Sequence, residues 1–298
     1  MSIRKYIAYL RTVETGSITQ SAQDLGYTQS AVSKMIADLE SEWNVKLLTR
    51  NHSGIEITSD GLSLLPKIQA IVKDYEDLNF AVSEVHGLQS GMLRLGCFTS
   101  FSTSVLPKIL QAFHEKYPNI QIQLYNGEYE DLTDWLHRGT LDCAFLAMPA
   151  ASDFNVTFLF QDSLVAILPE GHPMANEPCY PIARLPQEDF IKLKELQDYE
   201  IDRFIDSLDS KPRAVYEVQS DFALLSMVEC GLGISIVHDL LLRPRRYKLV
   251  RRPLDITAFR NVGIAVKSNV TPSSITKLFI EHVVSYKKLG TFFDGLDF

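Results

Sequence analysis

Apolar residues recur at spacings of three and four from the first residues of the chain. Ile3, Tyr6, Ile7, Leu10 and Val13 share one face of a helix, and Gly16 is placed to stop it. Ser17-Ile18-Thr19-Gln20 fits a capping box, with Ser17 as the cap and Gln20 reaching back. Ile18, Ala22 and Leu25 carry a short second helix that Gly26 ends, and Thr28 can cap a third. Two short helices joined by a tight glycine-containing turn form the helix-turn-helix pattern.

The third helix divides into two faces. At about 100° per residue from Gln29, the residues Ala31, Val32, Met35, Ile36 and Leu39 gather on one side. Gln29, Ser30, Ser33, Lys34 and Ala37 gather on the other. Small and polar groups with one cation suit a helix that enters the major groove. Gln can read adenine, Ser can meet a base or a phosphate, and Lys can reach a guanine edge or a phosphate. An ordinary solvated face is the alternative.

Ser59 and Asp60 are placed to cap a long helix in which Leu64, Ile68, Ile71, Tyr75, Leu78, Val82 and Val85 are spaced 4-3-4-3-4-3. Such a seam needs a partner, either the protein's own body or, as expected here, a second copy in a coiled coil. Pro66 is a candidate kink. Gln89-Ser90-Gly91 breaks the helix. Beyond it, strand patterns at 92–97, 120–125, 141–147, 164–168, 214–218, 234–237 and 262–266 alternate with helix patterns at 105–116, 130–138, 222–230 and 272–287. The expected fold class is α/β with a largely parallel sheet.

The 298 residues, 46% of them hydrophobic, can build one large domain or two to three smaller ones, each with its own core. No run approaches the length a bilayer span needs. The first ten residues carry charges and no apolar run, so a secretory signal is not expected. Cys97, Cys143, Cys179 and Cys230 are scattered, three of them in apolar runs, and read as buried inert thiols of a reducing cytoplasm. The formal net charge is -8, and residues 1–60 hold six Lys/Arg against seven Asp/Glu. Any contact with DNA therefore rests on the placement of a few cations and not on a basic domain. The seven histidines show no metal-ligand spacing, and the glycine-flanked serine, phosphate-loop and dinucleotide motifs are missing. No catalytic residues, metal or cofactor are expected, and the acidic groups at 128–130 and 198–200 read as solvated faces.

The run Tyr9-Leu10, Glu14-Thr15-Gly16-Ser17-Ile18-Thr19, Ser21-Ala22, Leu25, Thr28-Gln29-Ser30-Ala31-Val32-Ser33, Ile36, Leu39-Glu40, Val45-Lys46-Leu47-Leu48-Thr49-Arg50, Thr58 and Gly61 closely resembles the LysR-type transcriptional regulators. The resemblance implies a winged helix-turn-helix over 1–58, with wing strands at 47–50 and 54–58, a turn at Asn51, His52, Ser53 and Gly54, and Arg50 on a DNA phosphate. His52 is expected to be a plain exposed turn residue. The resemblance also implies a linker helix at 59–88 that pairs two copies over a roughly palindromic promoter site, and an effector domain at 89–298. That domain, like a periplasmic binding protein, would have one subdomain at 91–161 plus 267–298 and a second at 162–266. Its marks are Leu141-Asp142, Gly171-His172-Pro173 and Gly231-Leu232-Gly233-Ile234. The implied partners are promoter DNA, a small-molecule effector, further copies up to a tetramer, and RNA polymerase, with no membrane.

Ligands of such folds sit beyond the strand C-termini. There the first loop, Phe98 to Ser104, holds five hydroxyls, more than a helix cap needs. The expected effector contacts are Thr99, Ser100, Phe101, Ser102, Glu128, Ala147, Met148, Phe190, Lys192, Gln219 and Ser220. Some relatives place a cation for carboxylate effectors at the position of Ala147. No function attaches to His238. Two other readings stay open: a redox-sensing regulator of the same family, which needs two reactive thiols close together, and an exported solute-binding protein, which has no need of residues 1–88.

Overall fold

The computed structural model describes residues 2–51, 54–85, 90–148, 153–194, 200–243 and 247–288. The chain forms two compact units. One comprises Met1–Leu93 with Asn119–Gln121 and Ser273–Lys277; the other comprises Arg94–Pro118, Ile122–Pro272 and Leu278–Phe298.

The first unit begins with α1 (Ile3–Thr15), α2 (Ile18–Leu25) and α3 (Gln29–Trp43). Gly16 and Gly26 end the first two helices with φ of 63° and 69°, a left-handed conformation that suits glycine. Ser17 Oγ accepts from Gln20 N, and Thr28 Oγ1 accepts from Ala31 N. The expected reciprocal bond from Gln20 is absent among the described residues, because its side chain donates to Asp24 one turn on. A two-stranded wing follows, β1 (Leu48–Asn51) paired antiparallel with β2 (Gly54–Ile57). The turn residues His52 and Ser53 lie outside the described residues.

Then comes α4 (Ser59–Val85), which runs through Pro66 as one helix. Its cap differs from expectation. Thr58, one residue earlier, accepts from Gly61 N and donates to Lys46 O, tying the helix start to the wing. The apolar seam of α4 also divides. Leu65, Ile68 and Val72 are buried with Tyr6, Tyr9, Leu39 and Leu47, and Leu64 packs against them. Ile71, Tyr75, Leu78, Val82 and Val85 are 40–84% exposed. Of the seam, Leu64 and Ile68 therefore cover the protein's own core, together with Leu65 and Val72 from outside it, and the rest stays open.

The remaining elements are β3 (Gly91–Cys97), α5 (Thr99–Ser104), α6 (Leu106–Lys116), β4 (Ile120–Asn126), α7 (Tyr129–Arg138), β5 (Cys143–Met148), β6 (Phe154–Pro169), β7 (Asp189–Leu193), α8 (Glu200–Asp206), β8 (Arg213–Val218), α9 (Asp221–Glu229), β9 (Ser235–His238), β10 (Leu249–Pro253), β11 (Phe259–Lys267) and α10 (Ser274–Lys288). One sheet has the order β10-β6-β11-β5-β3-β4, with β9 also on β6, and β7 and β8 form a separate parallel pair. The sheet is not largely parallel. β3 and β5 run parallel, but β11 is antiparallel to both β5 and β6, and β6 is antiparallel to β9 and β10. The chain leaves along β6 and returns along its neighbour β11, and a return strand beside its outgoing strand must run the opposite way.

The second half of β6 is covered on both faces, so its apolar run is continuous. Leu164, Ala166 and Leu168 join Tyr180, Phe190 and Ile234 on one side, while Val165 and Ile167 join Leu224, Leu225 and Val228 on the other. No helix among the described residues is long and apolar enough to cross a membrane.

Gly61 is fixed by its surroundings. A Cβ there would lie 2.4 Å from Leu47 O and 3.0 Å from the Tyr9 hydroxyl, which itself donates to Gly61 O. Gly61→Ala is expected to destabilise the first unit by about 1–3 kcal/mol. Urea unfolding followed by far-UV circular dichroism checks this, and an unchanged midpoint contradicts it.

Candidate functional site

The third helix offers the first candidate surface. Val32, Ile36 and Leu39 of α3 are buried, and Met35 packs with Val32 and Ile36. On the opposite side Gln29, Ser30, Lys34 and Ala37 are exposed and Ser33 is half-buried. The cations nearby differ in availability. Lys5 is held by Glu42 and Asp38, Arg11 by Glu14 and Asp24, and Lys46 by Glu40. Among the described residues Lys34 makes no ion pair, so its ammonium is free for an external anion. Arg50 sits on β1 opposite Ile55; its side chain lies outside the described residues.

The second candidate is a cavity of about 390 Å³ in the other unit, lined by residues of α5, α7, α8, α9, β9 and β11. Its fixed point is Arg260, only 6% exposed. Arg260 lies directly across from Asp162 in the β11–β6 register. Its Nε and Nη2 both donate to Asp162 Oδ2, at 3.0 and 2.7 Å. Nη2 also donates to Ser100 Oγ at 2.8 Å, Nη1 donates to the Tyr129 hydroxyl at 2.8 Å, and the guanidinium lies 4.5 Å from the centre of the Phe98 ring. The other oxygen of Asp162 accepts from Leu240 N at 3.0 Å. Burial works against the charge on Arg260, but the Tyr129 oxygen and the Asp162 carboxylate outweigh it and hold the guanidinium protonated. Burial, and then Arg260 itself, push His238 well below its ordinary range, so its imidazole is neutral. Burial raises Asp221. It also raises Glu128, with Asp221 and Asp131 adding to the effect.

Of the effector contacts expected from the sequence, Thr99, Ser100, Glu128, Gln219 and Ser220 line this cavity. Six lie outside its lining. Phe101 is fully buried and stacks on Phe145 at 4.2 Å. Ser102 donates to Thr99 O and accepts from Asn126. Ala147 and Met148 sit on β5 beside β11, Phe190 is in the core under β6, and Lys192 is paired with Asp202. The expected loop from Phe98 to Ser104 is in fact the short helix α5, and the hydroxyls of Ser102, Thr103 and Ser104 return to its own carbonyls. Only its first two hydroxyls face the cavity. Glu200, read from sequence as part of a solvated face, also lines the wall.

Sequence reasoning missed Arg260 and Asp162. Their signal was a charge at the edge of each apolar run, Asp162 before Leu164–Leu168 and Arg260 before Val262–Val266. A buried charge needs a partner.

The family model described as "LysR substrate binding domain" matches residues 86–287, and "Bacterial regulatory helix-turn-helix protein, lysR family" matches residues 3–62. The chain belongs to the LysR family of transcription regulators. It is thus a DNA-binding regulator with an effector-binding domain, as its resemblance to LysR-type regulators implied. It is similar to the HTH-type transcriptional regulator YvbU of Bacillus subtilis, with 29% identity over 94% of this chain and 97% of that one. It is also similar to the probable regulator LrrA of Synechococcus elongatus, with 28% identity over 89% and 90%. Full-length OxyR from Pseudomonas aeruginosa shares the fold, with a TM-score of 0.77 at 19% identity over 97% of this chain and 95% of that one.

Within this LysR-family effector domain all four cysteines are free. Cys97 and Cys143 are buried, and burial pushes both thiols well up and away from the reactive thiolate. Cys230, expected inside an apolar helix, is exposed just past the end of α9, and Cys179 is half-buried.

The Arg260–Asp162 pair carries a testable energetic consequence. Asp162→Ala leaves a buried guanidinium without its counter-charge and is expected to cost about 3–5 kcal/mol. Adding Arg260→Met should recover much of that loss. A double-mutant cycle by urea unfolding measures both, and strictly additive losses contradict the coupling.

Proposed function

We propose that the polar stripe of α3 reads promoter DNA, with Gln29, Ser30, Ser33 and Lys34 on bases or neighbouring phosphates and Arg50 on a phosphate at the wing. The observation that carries this reading is the position of Lys34, exposed and without an ion pair among the described residues, on the polar face of α3 opposite the buried Val32, Ile36 and Leu39. The small and polar neighbours leave room for a groove wall.

The open stretch Ile71, Tyr75, Leu78, Val82 and Val85 of α4 supports pairing with a second copy. Two copies present two recognition helices to one roughly palindromic site, and further association makes a tetramer. A small molecule in the cavity beside Arg260 favours one arrangement of the elements meeting there, and so alters promoter binding or contact with RNA polymerase. The 1–58, 59–88 and 89–298 division belongs to this reading, as does the absence of catalysis. The buried Cys97 and Cys143 count against a redox trigger at those two positions.

Ser33→Glu is expected to abolish retention of a duplex selected by the wild-type protein from random sequences, with the unfolding midpoint unchanged. Normal footprinting by that variant removes α3 from the interface. Leu78→Glu is expected to convert the dimer to monomers in sedimentation velocity and to weaken DNA binding with it. A dimer that survives the substitution rules out the seam.

A further inference from the structure

The cavity wall is unevenly charged. Its described charged residues are Glu128, Lys194, Glu200, Asp221 and Arg260. Arg260 is committed to Asp162, outside the wall, and Lys194 lies 3.8 Å from Glu217 with both side chains more than half exposed. Among the described residues, none of the three wall carboxylates forms an ion pair. Asp221 stands in the first turn of α9, where Ser220 already caps by accepting from Ala223 N. The positive end of that helix therefore already has a carboxylate beside it.

His238 gives a second, independent sign. It is 7% exposed and lines the same cavity. Its Nδ1 is buried and has no hydrogen-bond partner among the described residues. A neutral imidazole that carries its proton on Nε2 leaves Nδ1 a bare acceptor. A buried acceptor without a donor is costly, and a ligand N–H or O–H relieves that cost. The aromatic side chains of Phe98, Tyr129 and Phe222 complete the lining, and such rings tolerate a cation over their faces.

We propose that the molecule bound here is a small organic cation, a primary amine or guanidine, whose N–H groups are read by Asp221 and Glu128 and by His238 Nδ1. This rests on the reading of the cavity as the effector site, and it names the effector's chemical class. An anionic ligand would meet three carboxylates, a buried Arg260 already engaged by Asp162 and one exposed cation, Lys194.

The test uses the full chain in calorimetric titrations with putrescine, agmatine, N-acetylputrescine, succinate and benzoate. Putrescine or agmatine is expected to bind. Asp221→Asn and Glu128→Gln should each weaken that binding about tenfold or more, with unfolding midpoints showing that both variants fold. N-acetylputrescine should bind more weakly than putrescine, and the two acids should not bind. Binding of succinate or benzoate in preference to the amines overturns the proposal, as does amine binding that both variants leave unchanged, or no amine binding at all. The effector reading is judged separately by plugging the cavity with Ser220→Trp in a promoter-reporter strain. A plugged protein whose promoter output still responds to growth conditions as the wild type does defeats that reading, whichever probes bind.

Discussion

A buried positive charge constrains everything around it. Arg260 keeps its charge because a carboxylate, two hydroxyls and an aromatic face converge on it from β6, α5, α7 and the end of β3. Asp162 keeps its own charge compensated by taking Leu240 N on its second oxygen. The pair is cross-strand, so the register of β6 against β11 is tied to it. A slip of one residue would place both charges on the wrong faces of their strands. The cavity exists where these contacts stop, and its wall inherits their positions.

The N-terminal unit obeys the same logic with oil in place of charge. The polar face of α3 stays exposed because the opposite face is consumed by Val32, Ile36 and Leu39. The long helix divides its apolar positions in the same manner. Leu65, Ile68 and Val72 close the core beneath α1, and the surplus further along α4 belongs to whatever covers it.

Much of this was legible in the sequence wherever a local rule acts alone. Period located α1 to α4, caps marked the starts of α2 and α3, and the two faces of α3 fell where helical spacing puts them. What failed needed partners distant in sequence. Arg260 and Asp162 are 98 residues apart, and no local pattern links them. The hydroxyls of Ser102, Thr103 and Ser104 looked like ligand groups until α5 closed on itself and consumed them. Lys192 and Lys194 alternate along one segment, so a shift of two residues changes which of them meets the cavity. The antiparallel return of β11 could not be read from composition, because strand direction depends on where the chain goes in between.

The charge layout of the first unit has a kinetic corollary. A chain of net charge -8 whose helix-turn-helix ties up Lys5, Arg11 and Lys46 internally has little grip on arbitrary duplex, since that grip comes from displaced counterions. A grip resting on so few cations would favour short stays on random sequence over long slides along it. In exchange, the large excess of irrelevant genomic DNA competes poorly for it. Fit to the groove, more than attraction to the backbone, then decides where it stays.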